Sequence, residues 1–363
     1  MTDRQPAVPE VRTGQTDVAL SKEEFGKRFG ARFFDPAFTD VNAEIERVRD
    51  VAWDGYENYR KSPRTRPAGP GFADPDHPLP VEWLAARDEI GEAEQRHADS
   101  SARRRILVVC ASPRTDQTCP GEMSKTFRLA QLAKAVVETD EQCECDFLDL
   151  SALTSEYGRI IYPCKGCVST AMPLCHWPCS CYPNHAMGQT GDWMNELYPR
   201  WVAAHGVVIV TPVHWYQAPT VLKLMMDRLV CADGGNPDPT STHGKKPEEA
   251  KALEVQGWPY PRHLAGRAFG VFVHGDAAGA EAVRRSLTDW LLDMQLVQSG
   301  RAVLDRYIGY MGEYARSHDA LDADLAVQEE VRNVAREVVM TVKLMRNGAY
   351  ENPGVGLEEP RPK

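Results

Sequence analysis

From Arg105 onward, short runs of continuous apolar residues alternate with longer stretches whose apolar positions recur every three or four residues. The runs are ILVVCA from Ile106, CDFLDL from Cys145, GVVIVT from Gly206, AFGVFV from Ala268 and a weaker RAVLDR from Arg301. Near-continuous apolar character is what a strand covered on both faces requires. Helical periodicity falls at Met123–Thr139, Trp193–Ala204, Thr220–Cys231, Ala277–Gln298 and Ala320–Met345. The alternation predicts an α/β fold: a doubly wound, five-stranded parallel sheet with helices on both faces. Ligands of such sheets sit beyond the carboxyl ends of the strands, where the strand order reverses. Chemistry is therefore expected in the loops that follow the strands.

The first hundred residues have a different pattern. Val41, Ile45, Val48, Val51, Ala52 and Tyr56 fall on one helical stripe, and VEWLAARDEIGEAEQRHA forms a second helical pattern. The Pro/Gly-rich stretch SPRTRPAGPGFADPDHPLP separates them and can hardly continue a helix. Residues 1–102 are expected to be a helical extension, 103–348 the main domain and 349–363 a loose tail. A Gly/Pro/charged insertion from Ala232 to His263 is a candidate lid.

Net charge is −10 and the pI about 5.6, so a generic nucleic-acid surface is not expected. No apolar run approaches the ~20 residues of a membrane helix. The opening MTDRQPAVPE has no secretory pattern, which points to the cytoplasm. A reducing compartment disfavours disulfides for the ten cysteines. Five of them, Cys164, Cys167, Cys175, Cys179 and Cys181, bunch in one segment, which favours metal ligation or thiol chemistry.

Three loops carry candidate chemistry. After the first strand, Ser112 and Arg114 lead to Ser124, Lys125 and Thr126 at a helix start. Hydroxyls, a guanidinium and free helix N–H groups suit a phosphate monoester. Neither GxxxxGK[ST] nor GxGxxG is present, so Walker and dinucleotide-type Rossmann sites are not expected. After the third strand, Pro212, Val213, His214, Trp215 and Tyr216 offer aromatic surface for a flat ring. After the fourth, Gly275 and Asp276 open a small-residue loop that lets a ligand approach the backbone. A response regulator needs acidic residues after its first strand, where this chain has Cys110-Ala111-Ser112.

ASPR…SKT, TPVHWYQAPTVLKLMMDR and FVHGDAAG together resemble the NADPH-dependent FMN reductases of the flavodoxin-like superfamily, over roughly Arg105 to Met345. The resemblance implies FMN phosphate at Ser112, Arg114, Ser124 and Thr126, with isoalloxazine against Pro212 to Tyr216 and bordered by Gly275 and Asp276. It implies an enzyme that takes electrons from NAD(P)H and passes them to an acceptor, and an assembly of two or four copies. It assigns no catalytic side chain.

The spacing C-x2-C-x7-C-x3-C from Cys164 to Cys179 supplies four thiolates, with Cys181 as a spare or a replacement for Cys179. In position this is similar to the iron–sulfur flavoproteins, which implies a [4Fe–4S] cluster. Zinc with His176 or His185, free thiols, or a redox-active Cys164–Cys167 pair are the alternatives. Two rival readings of the whole chain are a non-enzymatic electron carrier and a zinc-stapled protein without flavin.

Overall fold

The computed structural model describes residues 20–115, 117–118, 121–275, 278–308 and 312–351. These form two compact units. The smaller holds the described residues up to Pro63 together with Asn184–Thr190; the larger holds Arg64–Pro183 and the chain from Gly191 onward.

In the smaller unit, α1 (Lys22–Gly30) starts at Ser21, whose hydroxyl accepts from Glu24 N at 3.1 Å. Phe25 meets Trp53 and Tyr56 of α2 (Asn42–Glu57), with ring centroids 5.4 and 5.0 Å apart. The expected stripe on α2 is only partly covered. Ile45, Ala52 and Tyr56 turn inward, whereas Val41, Val48 and Val51 remain exposed. Positions 45, 49, 52 and 56 line up at 3.6 residues per turn, so the Arg49 stem takes a place on the inner face that Val48 does not reach.

The larger unit opens with a two-stranded hairpin, Thr65–Pro67 against Pro78–Pro80, and α3 (Val81–Ala98). Ala68, Phe72, Leu79, Trp83 and Leu84 form a small core there, while Ile90 and Ala93 of α3 join the main core. The sheet follows: β1 (Arg104–Cys110), β2 (Cys143–Asp149), β3 (Gly206–Pro212), β4 (Ala268–Gly275) and β5 (Val297–Tyr307). All neighbours are parallel and the order is β2-β1-β3-β4-β5, the flavodoxin-like arrangement whose order reverses between β1 and β3. Alternate residues serve opposite layers. Ile106, Val108, Val208, Val210 and Phe272 pack with α4 (Lys125–Glu138) and the last long helix. Leu107, Val109, Val207, Ile209 and Val271 pack with α3, α5 (Met194–Ala203), α6 (Thr220–Arg228) and, beyond the insertion helix α7 (Pro247–Val255), α8 (Ala280–Asp293). Period-two burial on both faces explains the near-continuous apolar runs.

The last helix, α9 (Leu325–Arg346), lies directly on the sheet at Gly206, where a Cβ would stand 2.8 Å from both Val338 and Val342 side chains. Two boundaries differ from the sequence expectation. The helix predicted through Gln298 ends at Asp293, because Gln295 takes a left-handed φ of 60° and turns the chain into β5. The helix predicted over Ala320–Met345 breaks at Asp324, whose carboxylate caps α9 by accepting from Val327 N at 3.0 Å. Among the described residues no helix is long and apolar enough to cross a membrane.

His97 at the end of α3 stacks on His205 ahead of β3, with ring centroids 4.7 Å apart. Burial first, and then nearby Arg267 and Arg346, push both imidazoles down to about 4 from an ordinary 6.5. His205 Nδ1 accepts from Arg105 N at 2.9 Å, a bond that a proton there would break. Unfolded histidines take up protons at a pH where the folded ones refuse them. Stability is therefore full above about 6.5 and falls as the pH drops from 6.5 towards 4. A urea midpoint lower at pH 5 than at pH 7.5, with a smaller difference in His205→Gln, is the expected result.

Candidate functional site

The carboxyl ends of β1, β3 and β4 open into a cleft of about 730 Å³. That volume is typical of a cofactor site. Ser112, Arg114, Ser124, Lys125, Thr126, Pro212, Val213, His214, Trp215, Tyr216 and Gly275, the candidates from all three loops, line this one cleft. Asp276 lies outside the described residues.

One end of the cleft gathers hydrogen-bond donors. Ser124 caps α4 by accepting from Phe127 N at 3.0 Å. The N–H groups of Lys125 and Thr126 then sit in the first turn, where helix geometry gives them no intrahelical acceptor. Ser112 Oγ accepts from Arg114 N at 3.1 Å and fixes the turn after β1. Arg114 donates through Nη2 to Glu122 O at 2.9 Å, and its buried Nε has no hydrogen-bond partner among the described residues. A guanidinium, hydroxyls and a helix N-terminus lining the same end of a cleft are the donor set that suits a phosphate monoester. Thr126 Oγ1 lies 2.8 Å from His274 Nε2, tying the start of α4 to the end of β4.

The other end is aromatic. His214 and Gln217 exchange two backbone hydrogen bonds of 2.9 Å, closing a two-residue hairpin turn on Trp215 and Tyr216. Both take left-handed backbone, with φ of 47° and 65°, the pattern of a type I′ turn that normally calls for Asn-Gly. They are also exposed, by 93% and 62%. Left-handed backbone at two exposed aromatics is not repaid by burial of their rings. Gly279, at φ 112°, backs onto this turn; a Cβ there would stand 2.8 Å from Tyr216 Cα.

The sequence model of the NADPH-dependent FMN reductase family matches residues 104–308, more than half of the chain. The chain belongs to this family. It is thereby an NAD(P)H-dependent flavin oxidoreductase. No curated protein matches it. Among solved structures it is similar to RosB with bound 8-demethyl-8-formylriboflavin-5'-phosphate, at 15% identity over 69% of this chain and 82% of that one, TM-score 0.45. It is also similar to the apo form of the NADH:FMN oxidoreductase EMOB, at 14% identity over 69% and 92%, TM-score 0.37. An FMN-dependent NADH-azoreductase from Bacillus anthracis str. Ames Ancestor gives 13% identity over 65% and 99%, TM-score 0.37.

The reductase cleft has walls that loop reading did not supply. Glu122, Ala315, Ser317 and His318 line it together with His274 and Ala278 of the FVHGDAAG segment. Lys125 Nζ donates to Ser317 Oγ at 3.2 Å, and His318 Nε2 lies 3.0 Å from Met123 O. The insertion from Ala232 to His263 adds no residue to the cleft. It packs instead on the cysteine loop, where Asn236 N donates to Cys175 O at 2.7 Å and Trp177 N to Asn236 O at 2.8 Å.

The cysteine loop folds into a second pocket that brings together all five candidate thiols and adds Cys231, Arg228 and Lys245. The space among them is about 10 Å³. Cys167 and Cys181 Sγ stand 3.6 Å apart, and Lys245 Nζ reaches both, at 3.3 and 3.1 Å. Both ring nitrogens of His176 are engaged, by Ser180 at 2.6 Å and Thr242 at 3.5 Å. Among the described residues no group of three or more His, Cys, Asp or Glu side chains is placed to hold a metal ion. The expected [4Fe–4S] cluster and its zinc alternative thus gain no support from the geometry.

Proposed function

We propose that the protein binds FMN in the cleft at the carboxyl ends of β1, β3 and β4, reduces it with NAD(P)H and passes the electrons to a separate acceptor. Ser112, Arg114, Ser124, Lys125 and Thr126 hold the phosphate; Pro212 to Tyr216 and Gly275 border the ring. The observation that carries this reading is the meeting of the Ser112–Arg114, Ser124–Thr126 and Pro212–Tyr216 loops in one cleft, with the capped start of α4 at one end.

When bound, FMN supplies the two-electron chemistry, and the chain's own residues bind, orient and shield it. The Thr126–His274 contact keeps the start of α4 in register with β4. The contact between Gly279 and Tyr216 fixes the height of the aromatic turn. Trp215 and Tyr216, held outward at the mouth, offer a stacking surface to an aromatic acceptor or a nicotinamide. The reading includes a cytoplasmic assembly of two or four copies, checked by light scattering.

The test is a comparison of FMN with riboflavin, which lacks only the phosphate, by quenching of flavin fluorescence. Charge-assisted hydrogen bonds contribute about 1.5–3 kcal/mol each, so riboflavin is expected to bind weaker by about a hundredfold or more. Equal affinities would remove the phosphate site from the account.

A further inference from the structure

One side of the cleft belongs to none of the three strand loops. Beyond β5 the chain returns as the short helix Ser317–Ala323, and Ala315, Ser317 and His318 line the cleft. Its polar contacts go to the start of α4 and to the segment just before it. Lys125 Nζ donates to Ser317 Oγ at 3.2 Å, and Arg128 Nη1 reaches both carboxylate oxygens of Asp322 at 2.7 Å. His318 stands against Glu122 and Met123. These ties place the returning segment at the donor-rich end, beside Ser124 and Arg114.

One group at that end has the wrong sign for a phosphate. Glu122 lines the cleft, and its main-chain carbonyl accepts from Arg114 Nη2 at 2.9 Å. The same residue thus holds the guanidinium and brings a carboxylate to the site. A bare carboxylate repels a phosphate by like charge. His318 meets both parts of this residue's role. Its Nδ1 stands 3.3 Å from Glu122 Oε1, and its Nε2 stands 3.0 Å from Met123 O. A neutral imidazole has one N–H for these two oxygens, and an imidazolium has two. Only 18% of the His318 side chain is exposed, so packing holds the ring at both oxygens.

We propose that His318 is a positioning residue for phosphate recognition. It covers the Glu122 carboxylate and fixes the Glu122–Met123 peptide whose carbonyl holds Arg114. It thereby sets the preference for a flavin with a terminal phosphate monoester over the same flavin without one. This role rests on the cleft being an FMN site. Both contacts of His318 lie on the segment leading into α4, whereas the flavin ring falls to the Pro212–Tyr216 loop. Loss of the histidine is therefore expected to reach the phosphate and spare the ring. Because the damage runs through a carboxylate, removing that carboxylate is expected to undo it.

The test measures Kd for FMN and for riboflavin by quenching of flavin fluorescence on the flavin-free full chain. Wild type is compared with His318→Ala, Glu122→Gln and the double variant. His318→Ala is expected to raise the Kd for FMN by about tenfold, the size of one charge-assisted contact, with riboflavin unchanged within about twofold. Combining Glu122→Gln with His318→Ala is expected to recover most of that loss. Glu122→Gln alone is expected to leave FMN bound as tightly or more tightly. His318→Gln, which keeps an N–H for Met123 O and loses the charge, repeats the measurement with a side chain of similar reach. Circular dichroism melts without flavin check the fold of every variant. A wild type that binds riboflavin as tightly as FMN removes the phosphate site, and this role with it. A wild type that prefers FMN overturns this role alone under any of three results: histidine variants that keep the preference, that weaken both flavins equally, or that Glu122→Gln fails to rescue.

Discussion

Replacing Arg114 by alanine is expected to raise the Kd for FMN by about tenfold to a hundredfold and to leave Tm unchanged or slightly higher. The binding loss follows from removing charge-assisted hydrogen bonds of about 1.5–3 kcal/mol from one end of the ligand. The stability forecast follows from what the side chain does without ligand. Its hydrogen bond among the described residues is to Glu122 O, and its buried Nε is unsatisfied. A buried donor without a partner costs folding free energy, so deleting it relieves the apo protein. Fluorescence titration and thermal melts on one preparation check both halves. Weak FMN binding accompanied by a collapsed Tm would make Arg114 a structural residue instead.

The largest opposed effects are expected from Trp215→Asn combined with Tyr216→Gly. Both positions hold left-handed backbone, which costs a residue other than glycine or asparagine about 1–2 kcal/mol. The double variant supplies the residues a type I′ turn prefers. Unfolding free energy is therefore expected to rise by about 1–3 kcal/mol. Activity is expected to move the other way, because the aromatic surface at the mouth of the cleft is gone. A stacking contact contributes about 0.5–1.5 kcal/mol, and losing two predicts a fall of about tenfold in kcat/KM. Urea denaturation and steady-state kinetics measure the pair. Reduced stability, or full activity, would mean the strain serves no function.

How far the sequence reveals this molecule depends on where each residue's partners lie. The five strands are legible because both faces of the sheet are covered, which leaves uninterrupted apolar runs such as Val207–Val210. The three loops are legible because the sheet topology alone gathers the carboxyl ends of β1, β3 and β4. Other features depend on distant pairings that leave no local mark. Ser317 and His318 reach the cleft from beyond β5, and Ser317 stands 192 residues from its partner Lys125. The hairpin before α3 is masked by prolines in both strands, TRP and PLP, which argue against strand on local grounds. That hairpin and α3 also buttress the cysteine loop and its cover: Ala73 N donates to Asp238 Oδ2 at 2.7 Å, and Trp83 Nε1 to Pro178 O at 2.8 Å. Cysteine spacing alone suggests a metal. Lys245, whose ammonium stands beside two of these thiols, comes from a charged insertion whose place against Cys167 and Cys181 no spacing rule announces.

The most direct test of the central claim is anaerobic addition of NADPH, and separately of NADH, to the FMN-loaded protein while flavin absorbance is followed. The account predicts that at least one nucleotide bleaches the bound flavin within a turnover, and that admitting an acceptor restores the colour. A protein that fails to retain FMN, or whose bound FMN neither nucleotide reduces, would contradict it.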